Sequence, residues 1–313
     1  MKSIIESFEI ESETVPSGFL STGNYNLCDF SMWLTAHAGS MRITTAARQR
    51  ISKMAPVIRQ QVVKMLRDAG LKVGYQDAVI GYNENIEAGK LHGVCWSNGE
   101  VLVLIIDICG HKRFASIQSN GYDEREFFRA QLDMLYSGQL SDSGKSLTKT
   151  LLVSYCRDTG GMQFDIIDAN ESHQQEQHER FIEIINAEGG AEKTESYFCK
   201  MCTHKTVCRG TELPAITCGT CANSDIVEGE VTCGIGQSSN PCNKHIYNPL
   251  LVKNLGYKLL RIDPDLRTIF YEGFSMSANG GDTLNSAMFG QMLLAGKLEL
   301  PKDEDDEATA TND

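Results

Sequence analysis

Apolar residues recur along this chain with two periods. Between positions 46 and 70, Ile51, Met54, Val57, Ile58, Val62, Met65 and Leu66 fall at roughly helical spacing and Gly70 ends the run, which predicts a helix. Positions 91–97 and 100–108 are rich in β-forming residues and are joined by Asn98-Gly99, a dipeptide that favours a tight hairpin turn. Positions 123–137 predict another helix. Positions 149–156 and 162–168 predict a second strand pair about Asp158-Thr159-Gly160-Gly161, and 173–187 a polar, exposed helix. Helices and strands alternate, so the expected core is α/β. After Tyr197 a Cys-rich segment runs to about His245, positions 250–272 read as strands and 284–297 as a short helix. The expected division is a core over 1–196, a Cys-rich module over 197–250, strands and a helix over 251–300, and a disordered acidic tail over 301–313.

A chain of 313 residues with 41% hydrophobic and 8% aromatic content can bury a substantial core. No stretch approaches 18 consecutive apolar residues, and the first fourteen residues carry Glu6, Glu9, Glu11 and Glu13, the reverse of a secretory start. The expectation is an intracellular, cytoplasmic protein with no membrane partner. The net charge of −12 argues against a nucleic-acid partner until its distribution is considered. From Arg42 to Val73 the basic residues are Arg42, Arg48, Arg50, Lys53, Arg59, Lys64, Arg67 and Lys72, against the single acid Asp68. The tail reverses this, with Asp303, Glu304, Asp305, Asp306, Glu307 and Asp313 against Lys302. A basic face with an acidic tail fits a DNA binder whose tail competes with DNA. Charge alone fits a solvated surface with a disordered end equally well.

Of the eleven cysteines, seven lie between Cys199 and Cys242. In a reducing compartment such density points to metal rather than disulfides. Cys199-x2-Cys202-x5-Cys208 places two thiols on one turn and a third after a short loop, and a fourth ligand must come from elsewhere. Thiolates take iron–sulfur clusters or zinc, and spacing does not separate the two. The second constellation is Cys218-x2-Cys221-x11-Cys233-x8-Cys242-x2-His245, five candidates for the four positions of a structural zinc site. Cys218, Cys221 and Cys233 lead, and Cys242 and His245 compete for the last place. The alternative is reduced, buried cysteine without metal. Metal here would fold a segment too polar to make its own core.

The run Tyr197-Phe198-Cys199-Lys200-Met201-Cys202-Thr203-His204-Lys205-Thr206-Val207-Cys208 resembles the C-terminal cluster motif of RecB-like PD-(D/E)XK exonucleases, including CRISPR-associated and phage-encoded members. The resemblance implies a restriction-endonuclease-like core, and a [4Fe–4S] cluster in which one early cysteine joins three late ones. Here the early cysteine would be Cys28. The stretch from Cys218 to His245 resembles an extra Cys/His module of the phage relatives. Further upstream, Gly89-Lys90-Leu91-His92-Gly93-Val94 falls where the family carries Gly-His-x-Asp-Gly-Val. Ile106-Asp107-Ile108-Cys109 falls where it carries a Glu-x-Lys strand, followed by Lys112-Arg113-Phe114. Gln131 and Tyr136 match its late helix, and Arg157-Asp158 the following strand end. The match spans most of residues 20–250.

At the active-site positions the likeness fails. Such nucleases use carboxylates to hold Mg²⁺, which activates water and stabilises developing charge. Here the helix position falls on Gln60 or Gln61, the aspartate position is His92, the second acid survives as Asp107, and the lysine position is Cys109. Amide, imidazole and thiol are poor magnesium ligands, so magnesium is not expected to bind well. His92, Asp107 and Cys109 could instead form a nucleophilic site. They could also be a hydrogen-bonded interior histidine and a small buried hydrophobe. A shifted strand register would let Glu84, Glu87 or Glu100 supply the missing acid.

The expected function is DNA binding by a nuclease-fold protein of phage-like DNA metabolism, in the host cytoplasm if phage-encoded, with weak or absent cleavage. The basic helix, through Arg48, Arg50, Lys53, Arg59, Lys64 and Arg67, would follow phosphates. Gln131 and Tyr136 would support the duplex or strand end. The alternatives are an active exonuclease with a rearranged site, and an interaction scaffold for phage or host replication and repair proteins.

Overall fold

The computed structural model describes residues 9–14, 20, 28–38, 40–81, 89–97, 99–140, 144–195, 199, 202–210, 212–234, 245–263, 268–271 and 274–277. Glu84, Glu87, Cys242, the expected helix over 284–297 and the acidic tail lie outside them. The chain forms two compact units. The larger contains residues 42–185 with most of the first 28, and the other contains residues 29–41 and 186–313.

In the first unit, β1 (Glu9–Thr14) and β2 (Ser40–Thr45) form a two-stranded ribbon. The basic helix is Ala46–Asp68 and is labelled α2, because α1 (Asp29–His37) precedes it in the chain. Next come β3 (Lys72–Gly74) and a small ladder of β4 (Val79–Ile80) with β5 (Gly89–Lys90). The hairpin of β6 (Gly93–Ser97) and β7 (Glu100–Cys109) forms as the Asn-Gly signal requires: Ser97 pairs with Glu100 and Gly99 takes a positive φ of 82°. Two helices, α3 (His111–Asn120) and α4 (Glu124–Tyr136), lead to β8 (Lys149–Cys156), β9 (Met162–Asp168) and α5 (Glu171–Asn186). The five-stranded sheet has the order β3-β6-β7-β8-β9. Only the β7–β8 pair is parallel, so the fold is mixed α/β about a central mixed sheet.

Alternation along β7 sorts its side chains between two cores. Leu102, Leu104 and Ile106 pack with Val62, Val63 and Leu66 of α2. Each such burial contributes about 2 kcal/mol. Cys109, two residues on from Asp107, packs with Phe114 and Ile117 of α3 and with Cys156. Asp107 and Cys109 share parity, so the strand sends Asp107 to the α3–α4 side. The polar-looking helix α5 is amphipathic rather than exposed: Gln174, Gln177, Phe181, Ile184 and Ile185 are buried, at spacings of three to four residues along one face.

The second unit is built around α1, whose Phe30, Met32, Trp33, Leu34 and Ala36 are fully buried. A helix apolar on all sides belongs inside a core, and the sequence reading had passed over it. The remaining elements are α6 (Lys205–Cys208), the hairpin of β10 (Ser224–Val227) and β11 (Glu230–Cys233), α7 (Pro249–Asn254), and a meander of β12 (Leu259–Asp263), β13 (Thr268–Tyr271) and β14 (Phe274–Ser277). The expected strand run over 250–272 thus begins with a helix. Asn248 accepts from the Leu250 amide and Pro249 opens the first turn, a capping arrangement readable from the dipeptide. No helix among the described residues is long and apolar enough to cross a membrane.

Candidate functional site

Asp107 sits near the C-terminal end of β7, 7% exposed. Beside it α3 begins without a cap of its own. Gly110 offers no side chain, and Asp158 from the β8–β9 turn accepts from the His111 amide at 2.7 Å. That cap fixes the first turn of α3 and aims Arg113 at Asp107. The α4 N-cap Asp123 accepts from the Glu126 amide and also from Arg113. The result is one guanidinium shared by three acids: Arg113 Nη2 lies 3.1 Å from carboxylate oxygens of Asp107, Asp123 and Glu126. Glu126 is almost wholly buried and Arg113 about two-thirds buried.

The electrostatics follow from burial. Loss of solvent, then the neighbouring Glu126 charge, push Asp107 up to about 6, with Arg113 and Arg125 opposing. The Arg113 guanidinium loses charge stability to burial, and the surrounding carboxylates outweigh that loss, so its pKa is raised. The Cys109 thiol is pushed up to about 11 by burial and then by Asp107, and it points at the Tyr155 carbonyl oxygen at 3.7 Å. This is a small buried residue rather than a thiolate nucleophile.

His92 is engaged elsewhere. Its Nδ1 accepts from the Ile106 amide at 2.8 Å and its Nε2 lies 3.1 Å from Arg129 Nη2. Arg129 also meets the fully buried Asp133 through Nε at 3.4 Å. Glu126, Arg129 and Asp133 stand three and seven residues apart, so one face of α4 presents three charged groups inward. Of the helix candidates, Gln60 and Gln61 are exposed, and Arg59, half-buried, is the α2 residue in the field of Arg129 and His92. Glu100 is exposed at the far end of β7 and pairs with Lys149.

Several sequence candidates have other tasks. Gln131 is fully buried, donates to the Asp168 carbonyl, and accepts from the Asn170 amide and from Gln174, tying α4 to the start of α5. Tyr136 is buried with its hydroxyl on His178 Nδ1 at 2.8 Å. Neither presents a surface to a strand end. Lys53, Lys64 and Arg67 are exposed on α2, where Lys64 pairs with Asp68. Arg48 and Arg50 lie in the same helix, and their side chains are outside the described residues. The sequence marks Arg113 only as part of a motif and does not mark Asp123, Glu126 or Arg129. The usable signal was charge on the apolar face of a helix.

In the second unit the cysteines fall into two groups. Cys199, Cys202 and Cys208 are half-exposed about α6. Ser31 Oγ lies 3.5 Å from Cys202 Sγ, and Cys28 directly precedes the helix that carries Ser31. Soft thiols on a short turn are suitable donors for iron–sulfur or zinc. Cys199 Sγ lies 3.6 Å from the Thr194 carbonyl oxygen. The second group is a knuckle. Cys218–Thr220 forms a single 3₁₀ turn, the Asn223 amide donates to Cys221 Sγ at 3.4 Å, and Cys221 bridges to Tyr247. Cys233 pairs with Ser224 across the β10–β11 hairpin, which turns through Glu228 and Gly229, both at positive φ. His245 meets the Thr220 hydroxyl through Nε2 at 3.0 Å, and burial pushes its pKa down to about 4, leaving the neutral ring that binds metals. None of the ten described cysteines forms a disulfide. Among the described residues no three His, Cys, Asp or Glu side chains stand together as a formed metal cage.

No family model and no curated protein matches the chain. Among solved structures, an alkaline exonuclease, LHK-Exo, from Laribacter hongkongensis aligns at 13% identity and TM-score 0.39, over 54% of this chain and 86% of that one. Its complex with dAMP aligns over the same shares at 13% identity and TM-score 0.38. SSO0001 aligns at 11% identity and TM-score 0.41, over 62% of this chain and 87% of that one. Likenesses of this strength bear on neither family nor activity.

Proposed function

We propose that the first unit is a nuclease-like core that binds DNA and cuts it weakly or not at all. The observation that carries this is Arg113. A metal-dependent nuclease needs its acids turned toward Mg²⁺, whereas here Asp107, Asp123 and Glu126 all face one guanidinium, with Arg125 also on Glu126. With Arg113 in place the acids are turned to a guanidinium rather than to magnesium, and a buried thiol at Cys109 supplies no cation where the resembling family carries lysine. What remains is recognition: α2 offers Lys53, Lys64 and Arg67 to phosphates, with salt-dependent affinity. Fluorescence anisotropy with a labelled duplex from 50 to 300 mM salt tests this. Affinity should fall steeply with salt, and the slope should lessen in Arg59→Ala and Lys64→Ala. Binding that is absent, or indifferent to salt, removes the proposal.

The same cluster favours a second reading, a cleavage-competent site in which Arg113 withdraws when metal and DNA bind. Digestion of linear duplex in Mg²⁺ or Mn²⁺ separates the two. Robust cutting that Asp107→Ala and Glu126→Gln abolish establishes the second. The cysteine segment is proposed to hold metal for folding, a [4Fe–4S] cluster on Cys28, Cys199, Cys202 and Cys208, and zinc on Cys218, Cys221 and Cys233 with Cys242 or His245. Such centres, when bound, replace a hydrophobic core that so polar a segment lacks. A role in phage DNA metabolism alongside replication or repair proteins belongs to the same proposal.

A further inference from the structure

The contacts of His92 determine its tautomer. The Ile106 amide can only donate, so Nδ1 carries a lone pair and the hydrogen of the neutral ring is on Nε2. Burial first, then Arg129 and Arg59, hold the ring well below the ordinary histidine pKa, so neutral is the form present. A guanidinium also only donates. At 3.1 Å, Nε2–H of His92 and Nη2–H of Arg129 are therefore two donors facing each other. Such a pair is repulsive by itself and becomes favourable when both donate to one oxygen.

The surrounding charges point the same way. Arg59 lies in the field of Arg129, which with burial lowers its pKa, and Asp77 only partly offsets this. Asp133 engages Arg129 at Nε, on the same edge of the guanidinium as Nη2, and balances one of the two positive charges here. The acids of the Arg113 cluster are occupied by Arg113. We propose that His92 and Arg129 form a metal-independent oxyanion site that takes a phosphate group, with one phosphate oxygen bridging His92 Nε2 and Arg129 Nη2. Planar guanidinium and a fixed N–H suit a tetrahedral oxyanion. Phosphate could come from solution or from a DNA strand. Only the second source rests on the DNA-binding reading above.

The test uses the full chain with ¹⁵N-labelled histidine and arginine, in chloride buffer with EDTA. His92 should show a protonated Nε2 and an unprotonated Nδ1. Inorganic phosphate should shift the His92 Nε2 and Arg129 resonances saturably, and chloride at equal ionic strength should not. Arg129→Gln should weaken phosphate binding by about tenfold or more, and His92→Gln, which keeps a donor at that place, by less than His92→Leu. A protonated Nδ1, the absence of a saturable shift, or unchanged phosphate affinity in folded Arg129→Gln overturns the site. If Arg129→Gln does not fold, the wild-type tautomer and titration decide. A short oligonucleotide in EDTA forms the second arm. Competition between it and phosphate assigns the site to a DNA phosphate. DNA binding that phosphate leaves untouched and Arg129→Gln does not weaken, beside a saturable phosphate shift, assigns the site to free phosphate and leaves the DNA reading standing; without that shift it overturns the site. Phosphate binding without DNA binding does the opposite.

Discussion

At the residue scale, the chemistry of the first unit is set by how three buried or half-buried acids share one cation. Asp107 has a pKa near 6 in the fold against 3.8 for an isolated aspartate. A raised carboxyl pKa means the folded state holds its proton more tightly. The stability this contributes is fully present below about pH 4 and is lost as pH rises through 6, a difference of roughly 3 kcal/mol. Asp107→Asn removes that dependence. In urea unfolding at pH 5.0 and 7.5, the variant should therefore gain stability relative to wild type on going to the higher pH. An identical pH dependence in the two proteins would refute the assignment. Arg113→Ala should cost about 3 kcal/mol at pH 7.5, because it leaves Asp107 buried without its cation and Glu126 with Arg125 alone. The cost should shrink at pH 5.0, where Asp107 takes a proton. Of these residues, Asp107 was legible in the sequence because strand alternation and a family-like motif both marked it. Arg113, Asp123, Glu126 and Arg129 were not, because two helices must first be docked on the sheet before their charges meet.

At the scale of elements, legibility followed the strength of local signals. The β6–β7 hairpin was readable from Asn98-Gly99, and α2 from its period and the closing Gly70. The helix α3 was missed although Gly110 and Gly121 bracket it, because its cap comes from Asp158, 47 residues away. Helix α1 was missed because uniform apolarity carries no period. Its docking has a tight point within the second unit. A Cβ added at Gly219 would stand 2.3 Å from the His37 carbonyl oxygen, while Thr217 donates to that same oxygen at 2.8 Å. Backbone cannot yield as a flexible side chain can. Gly219→Ala should therefore destabilise the second unit by about 2–3 kcal/mol, seen as a lower denaturation midpoint, and Thr217→Val by about 1 kcal/mol. Unchanged stability in Gly219→Ala would mean the 3₁₀ turn at Cys218–Thr220 does not sit against α1 as described.

At the scale of the whole molecule, the two units draw on different sources of stability. The first has a sheet packed by apolar residues on α2 and α3. In the second, α1 is deeply buried, but the described part of the segment Cys199–Cys233 is made of short helical turns and one hairpin of four-residue strands, with few buried apolar residues, Val207, Cys221 and Ala222 among them. If cysteine-bound metal supplies the missing stability, its removal should act first on the second unit, which holds every proposed ligand but Cys28. Protein purified without oxygen should carry iron and sulfide in roughly equal amounts, about four of each per chain, with about one zinc. Treatment with a chelator and a reductant should expose the second unit to proteolysis, with cleavage in the Cys-rich segment, while amide hydrogen exchange across the β6–β7 and β8–β9 ladders stays slow. Cys221→Ser should reproduce the zinc-linked part of this loss and leave iron bound. Cys202→Ser should release iron and leave zinc. Protein that holds neither metal and yet resists protease throughout would show that the turns are self-supporting and the cysteines simply small packed side chains. Loss of exchange protection in both units at once would show instead that the first depends on the second.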